Sequence, residues 1–478
     1  MNSAVAKRYF IFVIVSSGLL MASIDATIVA VALPAMLKDL HTSLALVTWS
    51  LTSYQLTQTI ALPMAGKLAE RWGKKQLFLG AVALFSLGSI GAGLAPTIYM
   101  QIVFRVMQGI GGGMFFPSAA GVVSDVFEEN RHTAVGLFVT IFQVGGIIGP
   151  NVGGLITDSL SWRWIFFVNI PLGIAILILG AAFIPRDRSM ESEAVGEIDY
   201  TGISLFAAGM FALLFGMTNM ANHPDRMLAP ESILFLSLGL ALLVAFYVVE
   251  TRVREPIIDM SLIRWRPLFA SNTQIFLWSG AFNGFFNFVP YYATVAYSMS
   301  AAESGAVLTP RAFTAAVVSL LGSVFLIRFG YRKPWLVGIY CLAACMVLAS
   351  LGIHDLSVLG VRLSDFSVLA VIMCLGGFGV GIAAPSSQNA HFDLLPDRIS
   401  AAAGLRAMFG NSGAVVGTTM VTLVLGHFAN KAVGMQYVFL GLAAAVLLSQ
   451  VCVFFVPDAA KQRREQPMAS QTLAAVES

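Results

Sequence analysis

Between Tyr9 and Leu37, 29 residues carry one acidic side chain, Asp25, and no basic one. A hydrocarbon core about 30 Å thick is crossed by about 20 helical residues. The stretch therefore reads as a spanning helix with a carboxylate near its middle. A charge at that depth costs about 3 kcal/mol or more unless it is protonated or paired, and intramembrane acids mark substrate or ion paths. The plain alternative is a carboxylate turned to a watery rim. A second charge, Arg105, lies in the apolar run 100–124, with Gln108 one turn further on the same face. A guanidinium does not give up its proton, so Arg105 needs a partner or water; snorkelling to the surface is its other option. Low dielectric favours a neutral carboxyl, and an adjacent guanidinium favours the anion. A site in which the two influences alternate takes up and releases a proton, so Asp25 and Arg105 are the candidate proton-coupling residues.

The elements that must position these groups follow from composition. Of 478 residues, 57% are hydrophobic and 11% charged, against about 25% charged in a soluble domain. The chain is a polytopic membrane protein, and a net charge of +3 gives no electrostatic footprint for nucleic acid. Lys7 and Arg8 before the first span, with Ala30-Val31-Ala32 after it, imitate a cleavable leader, but the apolar run is too long for one. Apolar windows predict about 14 helices, near 9–37, 45–65, 76–95, 100–124, 133–157, 164–184, 200–218, 232–250, 268–292, 305–327, 335–352, 365–388, 402–425 and 436–456. With the N-terminus inside, 20 of the 28 basic residues fall on the cytoplasmic side. Five (Lys38, Arg163, Arg226, Arg362, Lys431) fall outside, and Arg105, Arg311 and Arg406 lie in spans. That asymmetry places both termini in the cytoplasm.

An internal repeat divides the chain. Gly109, Gly111, Gly113, Pro117 and Ser118 recur 268 positions later as Gly377, Gly379, Gly381, Pro385 and Ser386, and Gly145 and Gly149 recur as Gly413 and Gly417. Arg71-Trp72-Gly73 is echoed by Arg328-Phe329-Gly330. The organisation predicted is a six-helix half over 1–186 and two inserted helices with linkers over 187–266. A second six-helix half follows over 267–457, then a disordered cytoplasmic tail over 458–478. Transporters built of such repeats hold their substrate near the midplane between them.

Several motifs in order resemble the 14-span drug:proton antiporters of the major facilitator superfamily, over nearly the whole chain. Asp25-Ala26-Thr27-Ile28-Val29 with Val31-Ala32-Leu33-Pro34 is similar to the acidic first-span signature, with Ala30 where the family usually has Asn. Gly66 to Lys75 resembles the cytoplasmic loop motif, with Glu70 in place of Asp. Gly66 would permit close helix approach and Gly73 a tight turn. Through the resemblance Gly66, Glu70, Arg71, Gly73 and Lys74 form a cytoplasmic gate, although plain positive-inside anchoring explains the cations. Arg105 to Gly113 resembles the intramembrane arginine motif. Gly145, Gly149-Pro150 and Gly153-Gly154 match the antiporter motif, which in this superfamily goes with export. Their four-residue spacing also makes a smooth stripe for helix packing. Asp199-Tyr200-Thr201-Gly202 and Glu255 to Met260 resemble family hallmarks flanking the inserted helices, and also fit capped helix ends.

For the substrate cavity, the span at 268–292 concentrates aromatic residues around Asn283 and Asn287, whose i, i+4 spacing puts both amides on one face. Phe286, Tyr54, Gln55, Gln58 and Gln108 complete the candidates, since rings with a few polar groups suit a lipophilic ligand. The run Ser386 to Asn389 is gate or interface. The four cysteines lie in apolar runs as small core residues, and the six histidines sit at helix ends or in loops without clustering, so no metal site is implied. The reading is an all-α major facilitator fold in the bacterial inner membrane, not an enzyme, needing no cofactor. The resemblance implies export of lipophilic, cationic drugs or other amphipathic compounds in exchange for protons, by a monomer that could be served by an accessory periplasmic protein. A lipid or metabolite exporter on the same scaffold shares every motif; uptake fits the antiporter motif less well. An intramembrane enzyme would need paired catalytic groups at depth, which are not visible.

Overall fold

The computed structural model describes residues 3–127, 131–185, 199–253, 260–354, 356–358, 361–395 and 399–458. The first helices are α1 (Ser3–Asp39), α2 (Leu44–Trp72), α3 (Lys74–Leu94), α4 (Ile98–Val126), α5 (Arg131–Ser159), α6 (Trp164–Phe167) and α7 (Asn169–Phe183). Then come α8 (Tyr200–Asn222), α9 (Pro230–Glu250), α10 (Met260–Arg264), α11 (Arg266–Phe286), α12 (Val289–Tyr297), α13 (Ala301–Ala306) and α14 (Thr309–Phe329). The last are α15 (Arg332–Ser350), α16 (Asp365–Phe392), α17 (Ile399–Gly426) and α18 (Lys431–Phe454). Among the described residues the one extended ladder is antiparallel, Ser357–Val358 on Val361–Arg362. Ser43, Thr97, Asp199 and Ser364 precede α2, α4, α8 and α16, and each side chain accepts a first-turn N–H. The Asp199 hallmark is thus a helix cap; Glu255 to Asp259 lies outside the described residues.

Eleven helices among the described residues are long and apolar enough to cross a membrane. The predicted windows at 45–65, 133–157 and 268–292 are helical too, as α2, α5 and α11 with α12, but are not among those eleven. Two boundaries differ from expectation. α2 continues to Trp72, so most of the expected loop motif is helix, and Gly73 alone, at φ +89°, turns the chain into α3. The window at 268–292 is not one helix: α11 ends at Phe286 and α12 starts at Val289. Pro290 has no N–H to give to Phe286, and its ring crowds that carbonyl. Asn287 therefore sits in the break rather than on a shared helical face with Asn283.

The chain divides into two compact units. One comprises Met1–Ile257, Phe286–Leu308 and Thr418–Gly434, the other Ile258–Phe285, Thr309–Gly417 and Met435–Ser478. In the first unit, Ile14, Val15 and Leu19 of α1 share a core with Phe78 and Phe85 of α3 and Phe115 of α4. The inserted helices α8 and α9 pack on each other through Gly209 and Gly239, and the Trp49 indole of α2 donates to Thr218 of α8 at 2.8 Å.

The repeated glycines make repeated contacts. A Cβ on Gly109 or Gly113 of α4 would strike α2 at Tyr54 and Gln58, and one on Gly377 or Gly381 of α16 would strike α14 at Arg311 and Ala315. Gly111 meets Ala81 and Phe85 of α3; Gly379 meets Gly338 and Leu342 of α15. Gly145 and Gly149 of α5 meet Ser23 and Thr27 of α1, while Gly413 and Gly417 of α17 meet Phe276 and Gly280 of α11. Small residues on these faces bring backbones close, where packing rather than water must drive helix association. The same registers align Asp25 with Trp278 and Arg105 with Met373.

Two expectations are corrected. Asp458 is no part of a loose tail: its carboxylate accepts the N–H of Tyr331 and Arg332 at 3.0 and 3.2 Å, capping α15. Residues 459–478 lie outside the described residues. Of the cysteines only Cys345 is buried; Cys341, Cys374 and Cys452 are half-buried, being on helix faces that the apolar composition alone does not distinguish. His391 is buried in the last turn of α16, held between Ser271 Oγ at 2.8 Å and the Ala402 carbonyl at 3.0 Å.

Candidate functional site

The apolar helices of the first unit enclose one dense polar cluster. Asp25 and Arg105 are both wholly buried, and Nη1 of Arg105 lies 2.5 Å from Oδ2 of Asp25. Nη1 also donates to Gln108 Oε1 at 2.9 Å, and Nε donates to the Ser50 carbonyl at 2.7 Å. The guanidinium lies over the Tyr54 ring, 4.3 Å from its centroid, where a ring face attracts a cation. Gln108 Nε2 donates to Asp25 Oδ1 at 3.1 Å and to Ser89 Oγ at 2.7 Å. Asn169 Nδ2 donates to the same Oδ1 at 3.0 Å.

Each of these partners of Asp25 is a donor. The arrangement is built for a carboxylate, which accepts only. A proton on either oxygen would put an O–H against Arg105, or against the amides of Gln108 and Asn169, with no acceptor to meet it. Protonation therefore requires Arg105 to withdraw or an amide to turn its oxygen inward. Removing one partner of a buried pair costs about 3–5 kcal/mol, so a protonated Asp25 does not fit the arrangement of donors around it.

Five elements hold the cluster, α2 through the Ser50 carbonyl and the Tyr54 ring. Asp25 comes from α1, Arg105 and Gln108 from α4, Ser89 from α3 and Asn169 from α7. The glycine stripe of α5 lies against α1 at this level: the Cβ of an alanine at Gly145 would come within 2.5 Å of Ser23, and at Gly149 within 2.1 Å of Thr27 Oγ1. Gly153 is similarly closed by Ile28, and Gly154 by the Ala301 carbonyl of α13. The Pro150 carbonyl would in turn lie 2.2 Å from a Cβ on Gly305. Gly149→Ala is expected to lower the melting temperature of the purified protein by an amount corresponding to about 1–3 kcal/mol of overpacking. Gly146→Ala, one position out of the stripe with nothing within 4 Å, should leave it unchanged. Equal melting temperatures for the two variants would refute this account of the stripe.

Tyr54 and Gln108 belong to the buried cluster and are not open to a ligand. Gln55, Gln58, Asn283 and Asn287 are half-buried, Phe286 is buried, and Asn283 Nδ2 donates to the Ser279 carbonyl at 2.9 Å. At the expected gate, Gly66 has nothing within 4 Å of a Cβ, so it is not a point of close helix approach here; it faces outward on the exposed end of α2. Arg71 is exposed, and the Glu70 side chain lies outside the described residues. Lys74 binds both oxygens of Asp125 at 2.7 Å, joining α3 to α4, and Lys75 caps the α7 end through the Ala181 and Ile184 carbonyls. Asn169 and Ser89 were not anticipated. A single amide inside the apolar window 164–184 marks Asn169; a serine in a spanning helix bonds so readily to its own backbone that nothing singles out Ser89.

A family profile described as Major Facilitator Superfamily matches residues 15–418 and 274–477. The chain is 32% identical over 416 residues to the Multidrug resistance protein B homolog of Mycobacterium tuberculosis, covering 86% of this chain and 75% of that protein. It is 30% identical over 421 residues to the Tetracenomycin C resistance and export protein of Streptomyces glaucescens, covering 88% and 76%. The crystal structure of a point mutant of the nucleoside transporter NupG superposes with a TM-score of 0.66 at 14% identity, covering 93% of this chain and 99% of that one. At that identity the likeness concerns the fold alone.

Proposed function

Because the chain belongs to the Major Facilitator Superfamily, a family of membrane transporters, we propose that it exports lipophilic drug-like compounds in exchange for protons. The observation that carries the reading is the buried carboxylate of Asp25, ringed by the donors Arg105, Gln108 and Asn169. A proton entering this ring must displace a donor, and the displaced helix is the coupling element. Export of drugs is supported by the names its relatives carry, a multidrug resistance protein homolog and a resistance and export protein. The glycine–proline stripe supports the same direction.

In this proposal the protein crosses the bacterial inner membrane 14 times, with both termini in the cytoplasm, acts as a monomer and carries its own proton site without a cofactor. Gln55, Gln58, Asn283 and Asn287, polar and only half-buried, are the side chains we assign to cargo contact. The gate assignment is narrowed to the Gly73 turn with Arg71 and Lys74. The test is purified protein in liposomes with an imposed pH gradient, challenged with cationic, neutral and anionic fluorescent drugs. Accumulation of at least one lipophilic compound against its gradient, abolished by a protonophore, is the expected result. Protonophore-insensitive movement of every compound would overturn proton coupling, and no movement of any would overturn drug export.

A further inference from the structure

The described helices of the second unit are nearly free of acidic residues. Its helices α10, α11, α14, α15, α17 and α18 contain no Asp or Glu, and α16 contains only Asp365, at its first residue. Arg406 projects from α17, half-buried, and its Nη2 donates to Ser387 Oγ of α16 at 2.8 Å. Its Nη1 is enclosed and has no acceptor among the described residues. Ser387 Oγ leans in turn on Gln274 Oε1 of α11, at 3.4 Å. Asp365 is 22 residues from Ser387 along α16, about 33 Å at the helical rise. The nearer Asp393 accepts from the Tyr331 hydroxyl at 2.9 Å. One turn away, both ring nitrogens of His391 are taken: Nε2 donates to the Ala402 carbonyl, and Nδ1 pairs with the Ser271 hydroxyl.

A permanent cation with enclosed, unused N–H donors is costly unless an acceptor arrives. The cost is offset when a planar oxyanion takes the free edge of the fork, since carboxylate and phosphate match guanidinium geometry. We propose that Arg406, oriented by Ser387, is the anion subsite of the second unit and binds a carboxylate or phosphate group. The oxyanion belongs either to the exported amphiphile, which is then zwitterionic or anionic rather than purely cationic, or to a lipid headgroup. The proposal rests on the export reading only for what carries the anion. Binding itself needs no gradient.

The test compares rhodamine B, which carries a free carboxylate, with its ethyl ester, which lacks it. Both are titrated by fluorescence anisotropy against the full chain in phosphatidylcholine nanodiscs. The acid is expected to bind about tenfold tighter than the ester, as one charge-assisted contact predicts. Arg406→Gln should bring the ratio to about one while leaving ester affinity intact, and Arg406→Lys should keep part of it as a point charge without the fork. Ser387→Ala, which leaves the charge in place, should lower the ratio about two- to threefold and guards against misfolding of the arginine variants. Repeating the titration in phosphatidylglycerol nanodiscs separates the sources. An unchanged ratio assigns the anion to cargo, and a ratio lost only there assigns the same site to the phosphate of an anionic lipid headgroup, one that no choline cation accompanies. A ratio near one for the wild type in phosphatidylcholine, a ratio indifferent to Arg406→Gln, or binding of neither dye would overturn the proposal. None of these outcomes bears on gradient-driven export, which fails or stands by the liposome assay.

Discussion

Asp25→Asn is expected to reduce pH-gradient-driven efflux in liposomes to the rate of empty vesicles while the protein still inserts and binds cargo. The side chains are isosteric, so packing around α1 is kept, but the amide cannot exchange a proton between the two faces of the membrane. It also replaces one acceptor by a donor, opposite Arg105 or opposite Gln108 and Asn169. The site is thereby fixed in a state resembling the protonated one. Downhill exchange of labelled for unlabelled cargo should persist, because it needs no proton step. A variant that pumps as well as wild type under a pH gradient would remove Asp25 from the mechanism. One that loses exchange as well would give it a structural role instead.

Arg105→Ala should be the most destabilising single change in the first unit. It leaves Asp25 wholly buried without its cation and the Ser50 carbonyl and Gln108 Oε1 without their donor. Removal of one partner from a buried pair costs about 3–5 kcal/mol. Arg105→Lys restores charge, but a single ammonium cannot reproduce the fork that reaches Ser50 and Asp25 together. The double variant Asp25→Asn with Arg105→Gln should melt well above Arg105→Ala, with a coupling energy of about 2–3 kcal/mol, because neither side then buries a lone charge. It should remain inactive in gradient-driven transport. If the two substitutions are additive in melting experiments, the ion pair does not contribute to the folded state in the manner described.

Asp25 and Arg105 were legible as candidates because charge is rare in apolar windows; that they pair, rather than facing a watery rim or snorkelling, is what the structure adds. The glycine stripe was legible for a similar reason: spacing by four defines a face without knowledge of what covers it. The helical windows followed from length and apolarity, although the number of crossings did not, since polar residues in α2 and α11 blur that signal. Partners were harder. Asn169 is one amide in an apolar helix, and its place beside Asp25 depends on how α7 packs on α1 and α3, which no local pattern encodes. Gly66 misled because a glycine signals permission for close approach, not its occurrence. The shared helical face expected of Asn283 and Asn287 assumed an unbroken helix, and Pro290 breaks this one.

The register that aligns Asp25 with Trp278 and Arg105 with Met373 bears on the electrical balance of the transport cycle. Under the proton-exchange reading, only one of the two related bundles retains a titratable pair, so each turnover would return one proton. A monovalent cationic cargo would then leave with no net movement of charge, and a collapsed pH gradient would stop the protein whatever the voltage. A zwitterion held through its anionic end would instead leave one charge moving inward per cycle. The membrane voltage would then add about 2.3 kcal/mol per 100 mV to the driving force. Current measured on a solid-supported membrane distinguishes electroneutral from electrogenic exchange, and with it the kind of cargo the second bundle would accept.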